Sequence, residues 1–338
     1  MKQKIYFMVD LQLFAGELNT NVTTDTGLSV ENKTHYDMTL IDEASPFLVH
    51  DQFGQKRPIP KNGGKKIEFR KYASLPKATT PLTEGVTPDG KKLSVSAVEA
   101  EVSQYGDFVA LSDILDLTAI DNNVLEATKA CGRQAGLTLD TITRNVLQSG
   151  TNVFYCPKSS GSAVTSRAAL DATCKLTVDV VRRVVAMLKS MNAPKINGSY
   201  VAIIHPYVAY DLKSDEHWEE MHKYCSPEEM YEGEIGRIEG VRFVETSEAA
   251  IFTGTGCPTG LAVFGCLFIA DGAYGVTEVS GGGLQTIIKQ LGSAGTADPL
   301  NQRSTVGWKA LKTAEILIQA YLVRVECCSD FSATAEAN

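Results

Sequence analysis

The chain has 338 residues, of which 43% are hydrophobic and 21% are charged, and its formal net charge at pH 7 is −8. This length allows two domains or one large domain with a sizeable core, and the composition is that of ordinary globular proteins. The negative net charge argues against tight, general binding of nucleic acids, because neutralising phosphates requires clustered Lys and Arg. No apolar run approaches the roughly 20 residues that cross a bilayer.

The N-terminal sequence and the cysteines both favour a protein of the reducing cytoplasm. Residues 1–17 place basic residues before an apolar run, as a signal peptide does, but Asp10 and Gln12 interrupt the run and no clean cleavage site follows. The eight cysteines include no CxxC pair. This usage favours buried thiols over a disulfide framework or a zinc site.

The first hundred residues predict two arms. Residues 1–55 show little periodicity, which fits either an extended arm with one helical turn near 36–41 or a disordered terminus. In 56–107, two strand patterns at 65–72 and 93–105 flank a segment rich in Pro and Gly, which predicts a long hairpin with a broad tip. The apolar phase flips between Ala97 and Val98, so we expect a bulge or a sharp twist there. Such an arm either moves freely or packs on another chain.

Residues 121–150 predict one long helix. Apolar or small residues recur there every three or four positions, which is the pattern of a single helix face, and the helix would be roughly 39 Å long at 1.5 Å per residue. Small residues form a flat patch near its middle, where we expect the closest packing, against the subunit's own sheet: Cys131, Gly132, Ala135 and Gly136. We therefore expect that placing Leu at both glycines damages the fold.

The rest of the chain mixes helices and strands. The patterns predict a short helix at 112–119, a helix at 177–191, strands at 200–204, 241–245, 261–269 and 321–327, a helix beginning at Pro206, and a Gly-rich, loop-like stretch at 280–305. Because the strands and helices do not alternate regularly as βαβ units, the fold class predicted is α+β.

No stretch predicts a catalytic, cofactor-binding or metal site. His217 and His222 are five positions apart, whereas one helix face requires four, so we interpret them as solvated polar surface. His205 ends a strand before Pro206, where a structural hydrogen bond is favoured over catalysis. The glycines at 233–240 lack the GK[ST] that a phosphate-binding loop requires.

Two charged segments indicate contact between copies of the chain. Basic residues cluster at the base of the hairpin: Lys65, Lys66, Arg70 and Lys71. Their complement is an acidic run that includes Glu219, Glu220, Glu228 and Glu229. Exposed ion pairs contribute only about 0–1 kcal/mol each, but they set register and partner choice. The hypothesis is an intersubunit contact between these segments.

Four stretches carry a family resemblance. They are IHPYVAYDLKSDEHW at 204–218, EGEIGRIEGVRFVET at 232–246, KQLGSAGTADPLNQRSTVGWK at 289–309 and YLVRVE at 321–326. Together with the two arms, the long helix and the mixed α+β part, they make the chain resemble the major capsid proteins of tailed bacteriophages. These have the Hong Kong 97-like (HK97-like) fold, and the resemblance is greatest to the coat proteins of N4-type phages.

This resemblance implies a role for each segment. It implies an N-terminal arm at 1–55, an extended loop at 56–107, a peripheral domain at 108–176 whose spine helix is 121–150, an axial domain at 177–271, and a return to the peripheral domain with a C-terminal strand at 272–338.

The resemblance also implies partners. The chain would self-assemble into pentameric and hexameric capsomers of an icosahedral head, made in the host bacterial cytoplasm, that encloses double-stranded DNA without sequence-specific binding and without a membrane. A separate scaffolding protein and a portal would assist. The alternatives are the shell of an encapsulin-type bacterial compartment, which shares the fold, and a cytosolic α+β enzyme.

Overall fold

The computed structural model describes residues 40, 43–44, 48–58, 66–72, 75, 77–87, 89–93, 95–118, 123–218, 237–277, 284–293 and 298–338. The named helices are α1 (Asp113–Thr118), α2 (Asn123–Gln148), α3 (Val178–Ser190) and α4 (Pro206–Lys213). Within the described residues, no helix combines the length and the apolar character needed to span a bilayer.

The strands fall into four sheets. In chain order they are β1 (Gln55–Arg57), β2 (Lys66–Tyr72), β3 (Val95–Glu101), β4 (Ser103–Ser112), β5 (Val153–Tyr155), β6 (Tyr200–Ile204), β7 (Arg237–Ile238), β8 (Val241–Glu245), β9 (Ile251–Phe252), β10 (Val263–Ile269), β11 (Tyr274–Thr277), β12 (Leu284–Lys289), β13 (Arg303–Lys312), β14 (Ala314–Ile316) and β15 (Leu322–Cys327).

The largest sheet has seven strands, in the order β5-β15-β10-β6-β8-β7 with β9 beside β10. Its central strands β6 and β10 are apolar runs buried on both faces, as is typical of strands covered on both sides. Helices α3 and α4 cover one face and form the main core with it. The C-terminal end of α2 and strands β11 and β14 cover the other face.

Helix α2 lies across a second, three-stranded sheet of order β12-β13-β4. Cys131, Ala135 and Leu139 on the helix pack with Val306 and Trp308 of β13. The Cys131 thiol lies 3.8 Å from the Val306 carbonyl oxygen, and Ala135 and Leu139 are fully buried. The small-residue face therefore brings this helix close to the backbone of the sheet.

The two remaining sheets are small and lie near each other. Strands β1, β11 and β14 form one of them, and β2 and β3 form the other, an antiparallel hairpin that we call the arm. Contacts between β14 and β3 join the arm to this small sheet. The predicted hairpin is thus confirmed at 66–101, whereas the second half of the predicted strand pattern enters β4 and pairs with β13.

The bulge predicted between Ala97 and Val98 is wrong. Strands β2 and β3 pair without interruption from Lys66–Glu101 to Tyr72–Val95. The apolar phase flips because Val95 and Ala97 lie on the exposed face of the arm, while Val98 and Ala100 lie on its inner face. The interruption comes later, at residue 102, where the arm ends and β4 begins.

One expectation for the C-terminal third differs from the structure and another is confirmed. The stretch 280–305 was expected to be loop-like, but it contains β12 and the start of β13, because β12 pairs with β13 and β13 pairs with β4. The last strand, β15, was expected at 321–327 and is found at 322–327, where it pairs with β10 and β5 and nearly all of its residues are buried in the seven-stranded sheet.

Gly132 meets the N-terminal segment and not only the sheet. A Cβ atom at this position would lie 2.9 Å from the carbonyl oxygen of Leu40, in a helical part of the chain that also contains Glu43 and Ala44. The Glu43 carboxylate pairs with the Arg133 guanidinium at 3.0 Å, beside the same contact. We expected Gly132 to pack most closely against the sheet. It packs instead against the backbone of the N-terminal segment. Gly136 is buried.

Replacing Gly132 with Leu is expected to lower the free energy of unfolding by about 1–3 kcal/mol, because the added side chain overlaps the Leu40 backbone. Urea unfolding measures the loss, and proteolysis reports whether the N-terminal segment leaves the helix. Ala130 is exposed on the same helix, so Ala130→Leu is the control. Equal stability of the two variants would contradict the packing described.

Candidate assembly surfaces

The base of the arm is anchored by a small apolar cluster. Ile67, Phe69 and Ala100 are buried on the inner face of the hairpin and pack with Val102 and Leu317. Phe69 is fully buried, and its ring lies directly against the backbone of Gly275 in β11, where any side chain would overlap it. The absence of a side chain at that position therefore lets the arm dock on the small sheet.

The distal part of the arm has no cover from its own subunit. Every described residue of 75–93 is exposed, including the apolar Leu82 at 77% and Val86 at 62%. Between them the chain makes a turn, in which the Val86 amide donates to the Thr83 carbonyl at 3.2 Å and Gly85 has a φ of 75°. We call residues 82–86 the tip turn. Exposed apolar side chains at the end of an extended arm mark an interaction surface.

The charged groups at the base of the arm are paired locally. The Lys66 ammonium donates to the Glu99 carboxylate at 2.6 Å, and this hydrogen bond raises the pKa of Lys66 and lowers that of Glu99. The Arg70 guanidinium lies 3.3 Å from the carboxylate of Glu68 on the same strand. These pairs are exposed and contribute little to stability.

The proposed intersubunit pairing of this base stays a prediction. The side chain of Lys71 is not described, and the other partners lie outside the described residues: Lys65, Glu219, Glu220, Glu228 and Glu229.

The three-stranded sheet leaves an apolar row exposed on the face away from α2. Phe108, Gly307 and Ile287 lie side by side across β4, β13 and β12, and Phe108 is 67% exposed and Ile287 42% exposed. We call these three residues the outer row. The row lies in an open groove of about 680 Å³, which also contains Lys289 and Lys309.

A buried polar cluster ties residues 48–53 to α2 and β13. The amide of His50 and its Nδ1 atom both contact the Asp140 carboxylate, at 2.7 and 2.6 Å, and the Tyr274 hydroxyl donates to the His50 carbonyl. One residue further, Asp51 accepts from the Thr143 hydroxyl at 2.7 Å and from the Lys312 ammonium.

The environment of this cluster raises the pKa of the Tyr274 phenol well above its usual value. Burial is the main cause, and the carboxylates of Asp51 and Asp140 add to it. Reasoning from sequence missed the cluster. The one available signal was Lys312, a charged residue at an inward position of an alternating strand.

Of the histidines considered for catalysis, His205 has a structural role. His205 caps α4, since its Nδ1 atom accepts from the Tyr207 amide at 3.1 Å, and burial lowers its pKa. His222 lies outside the described residues, while His217 is exposed. Within the described residues, no three His, Cys, Asp or Glu side chains are grouped so that they could hold a metal ion.

Comparison with solved structures identifies the fold. The chain matches the capsid of Ralstonia phage GP4 with a TM-score of 0.64 and 13% identity, over 83% of this chain and 88% of that one. It matches the capsid of cyanophage Pam1 with a TM-score of 0.64 and 15% identity, over 86% and 93%. The capsid of cyanophage P-SCSP1u gives 0.62 and 13%, over 86% and 89%. The fold is therefore the α+β, HK97-like fold of phage capsid proteins.

Sequence comparison finds a similarity to the same class of protein. The model of the family described as phage capsid protein matches residues 102–262, which run from the end of the arm to the start of β10. No curated protein sequence matches the chain. The family model and the solved structures thus agree in likening this chain to phage capsid proteins.

Proposed function

We propose that this chain is a phage major capsid protein, that it forms the pentameric and hexameric capsomers of an icosahedral head, and that each arm lies across a neighbouring subunit. The observation that carries the proposal is the distal arm, whose described residues are all exposed although Leu82 and Val86 are apolar. At about 3.3 Å per residue, the seven-residue strands alone extend the arm roughly 20 Å. A second copy would bury the apolar side chains that the subunit leaves in water.

The strand pairing supports a division of labour within the subunit. Residues 177–271 supply α3, α4 and most of the seven-stranded sheet, and we assign them to an axial domain at the centre of each capsomer. Helix α2 with β4, β12 and β13 forms the peripheral domain. Because β15 pairs with β10, we assign the C-terminal strand to the axial part and not to the peripheral domain.

The remaining roles follow from the charge of the chain and from its likeness to phage capsid proteins. A shell that encloses double-stranded DNA must release it, and a net charge of −8 disfavours tight binding to phosphates. We assign no catalytic activity to the chain. Assembly in the host cytoplasm, with a separate scaffolding protein and a portal, completes the proposal, and the DNA content of shells purified from infected cells tests its nucleic-acid part.

Removing the distal arm is expected to abolish shells without unfolding the subunit. The variant replaces 77–91 with a short Gly-Ser turn, which leaves β2, β3 and the buried base of the arm intact. Negative-stain electron microscopy and sedimentation should then show small folded particles in place of shells.

The matched control replaces the exposed loop 159–163 in the same way. That variant should still form shells. Normal shells from the arm variant would overturn the proposed role of the arm.

A further inference from the structure

The outer row has lysines on both sides. On one side, Lys309 of β13 pairs with Gly106 and Gln285, and on the other, Lys289 of β12 pairs with Thr305. Both lysines are exposed, and within the described residues neither forms an ion pair. The outer row is thus an apolar strip that crosses three strands, with one ammonium group on each side of it.

Gly307 makes the strip accessible. A Cβ atom at Gly307 would lie 2.8 Å from the Cβ atom of Phe108, so the glycine lets the aromatic side chain lie low over the central strand. The ring therefore borders a groove, with Ile287 on the opposite side. A large aromatic residue at the centre of a desolvated patch is the usual anchor of a protein interface.

The tip turn has the complementary arrangement. Its two apolar side chains, Leu82 and Val86, flank a single carboxylate, that of Glu84. All three are exposed, and Glu84 forms no ion pair within the described part of the chain. One negative charge between two apolar groups matches one apolar strip between two positive charges.

We propose that the tip turn of one subunit docks on the outer row of a neighbouring subunit. Leu82 and Val86 pack on Phe108 and Ile287, and the Glu84 carboxylate lies between the ammonium groups of Lys289 and Lys309. Burial of the apolar side chains supplies the attraction, while the charges fix the register of the arm. The inference rests on the proposed crossing of the arm to a neighbour and names the surface that receives it.

Charge reversal in the full-length chain tests the pairing. Glu84→Lys alone, and Lys289→Glu with Lys309→Glu, are each expected to lose shells, because like charges then meet in the contact. The three substitutions together restore opposite charges and should restore shells, which electron microscopy and sedimentation detect. Absence of rescue by a combined variant that is folded by circular dichroism would overturn the pairing.

A neutral substitution tests the apolar strip. Phe108→Gln should lose shells although the subunit stays folded, because the ring is largely exposed before assembly. Leu300 is another largely exposed apolar residue, outside the groove, so Leu300→Gln is the matched control and should assemble normally. Shells from Phe108→Gln at the control's yield would exclude the strip as the docking surface.

Cross-linking tests whether the tip turn is the segment that lies on the outer row. Shells carrying Glu84→Cys and Lys309→Cys together, treated with a short bis-maleimide, should give dimers and higher ladders on a denaturing gel. The single variants, which retain the partly exposed Cys257, set the background.

No ladder above that background would overturn the inference and mean that the arm contacts another surface. In that outcome the proposed function would stand, provided that the arm variant lacking 77–91 still fails to assemble. Shells from that variant would refute both.

Discussion

Replacing Lys312 with Met is expected to lower the free energy of unfolding of the subunit by about 3–5 kcal/mol, because it leaves a buried carboxylate without its counter-charge. The Lys312 side chain is 0% exposed and that of its partner Asp51 is 8% exposed. Met has a similar length and stays apolar, so the loss comes mainly from the charge and not from a cavity. Urea unfolding of unassembled subunits, followed by tryptophan fluorescence, measures it, since Trp308 lies on the same strand.

Two further variants test whether the loss of stability comes from the ion pair between Lys312 and Asp51. Lys309→Met removes an exposed lysine from the same strand and should change the free energy of unfolding by less than about 0.5 kcal/mol. Asp51→Asn combined with Lys312→Met removes both charges and keeps an acceptor for the Thr143 hydroxyl. This double variant should recover part of the lost stability. If it is no more stable than Lys312→Met alone, a charge effect is not the cause.

Elements with strong local periodicity could be predicted from the sequence. The long helix was expected at 121–150 and is α2, and the helix expected at 177–191 is α3, whose first turn is capped by the Thr177 side chain. The alternation at Ile67 and Phe69 likewise predicted β2. In each case the apolar residues recur at the period of the element within one continuous segment. The element could therefore be predicted without knowing which distant residues it contacts.

The elements that were missed depend on partners far away in the chain. Asp51 and Lys312 are 261 positions apart, and neither has a neighbour in sequence that indicates the other. Strand β12 follows a Gly-rich stretch and is recognisable only once β13 lies beside it. The outer row was missed for the same reason, because Phe108, Gly307 and Ile287 become neighbours only through the register of three strands.

Replacing Phe69 with Ala is expected to cost about 3–5 kcal/mol, the range for a fully buried Phe, but the loss should fall on the arm and not on the whole subunit. The cluster at the base of the arm is small and separate from the cores on either side of the seven-stranded sheet. Regions held by few buried contacts open locally before the whole protein unfolds. Hydrogen exchange should therefore show β2 and β3 losing protection while β6 and β10 keep theirs.

The same substitution tests whether assembly requires the arm to be docked at its base or only to be present. If a neighbouring subunit binds the tip turn, an undocked arm must become ordered on binding. The entropic cost of this ordering weakens the contact between the subunits. Phe69→Ala should then form shells slowly or only at higher subunit concentration, which light scattering follows. Glu68→Ala, on the opposite face of the same strand, should assemble like the unmodified chain. Equal assembly by both variants would show that the base of the arm does not position its tip.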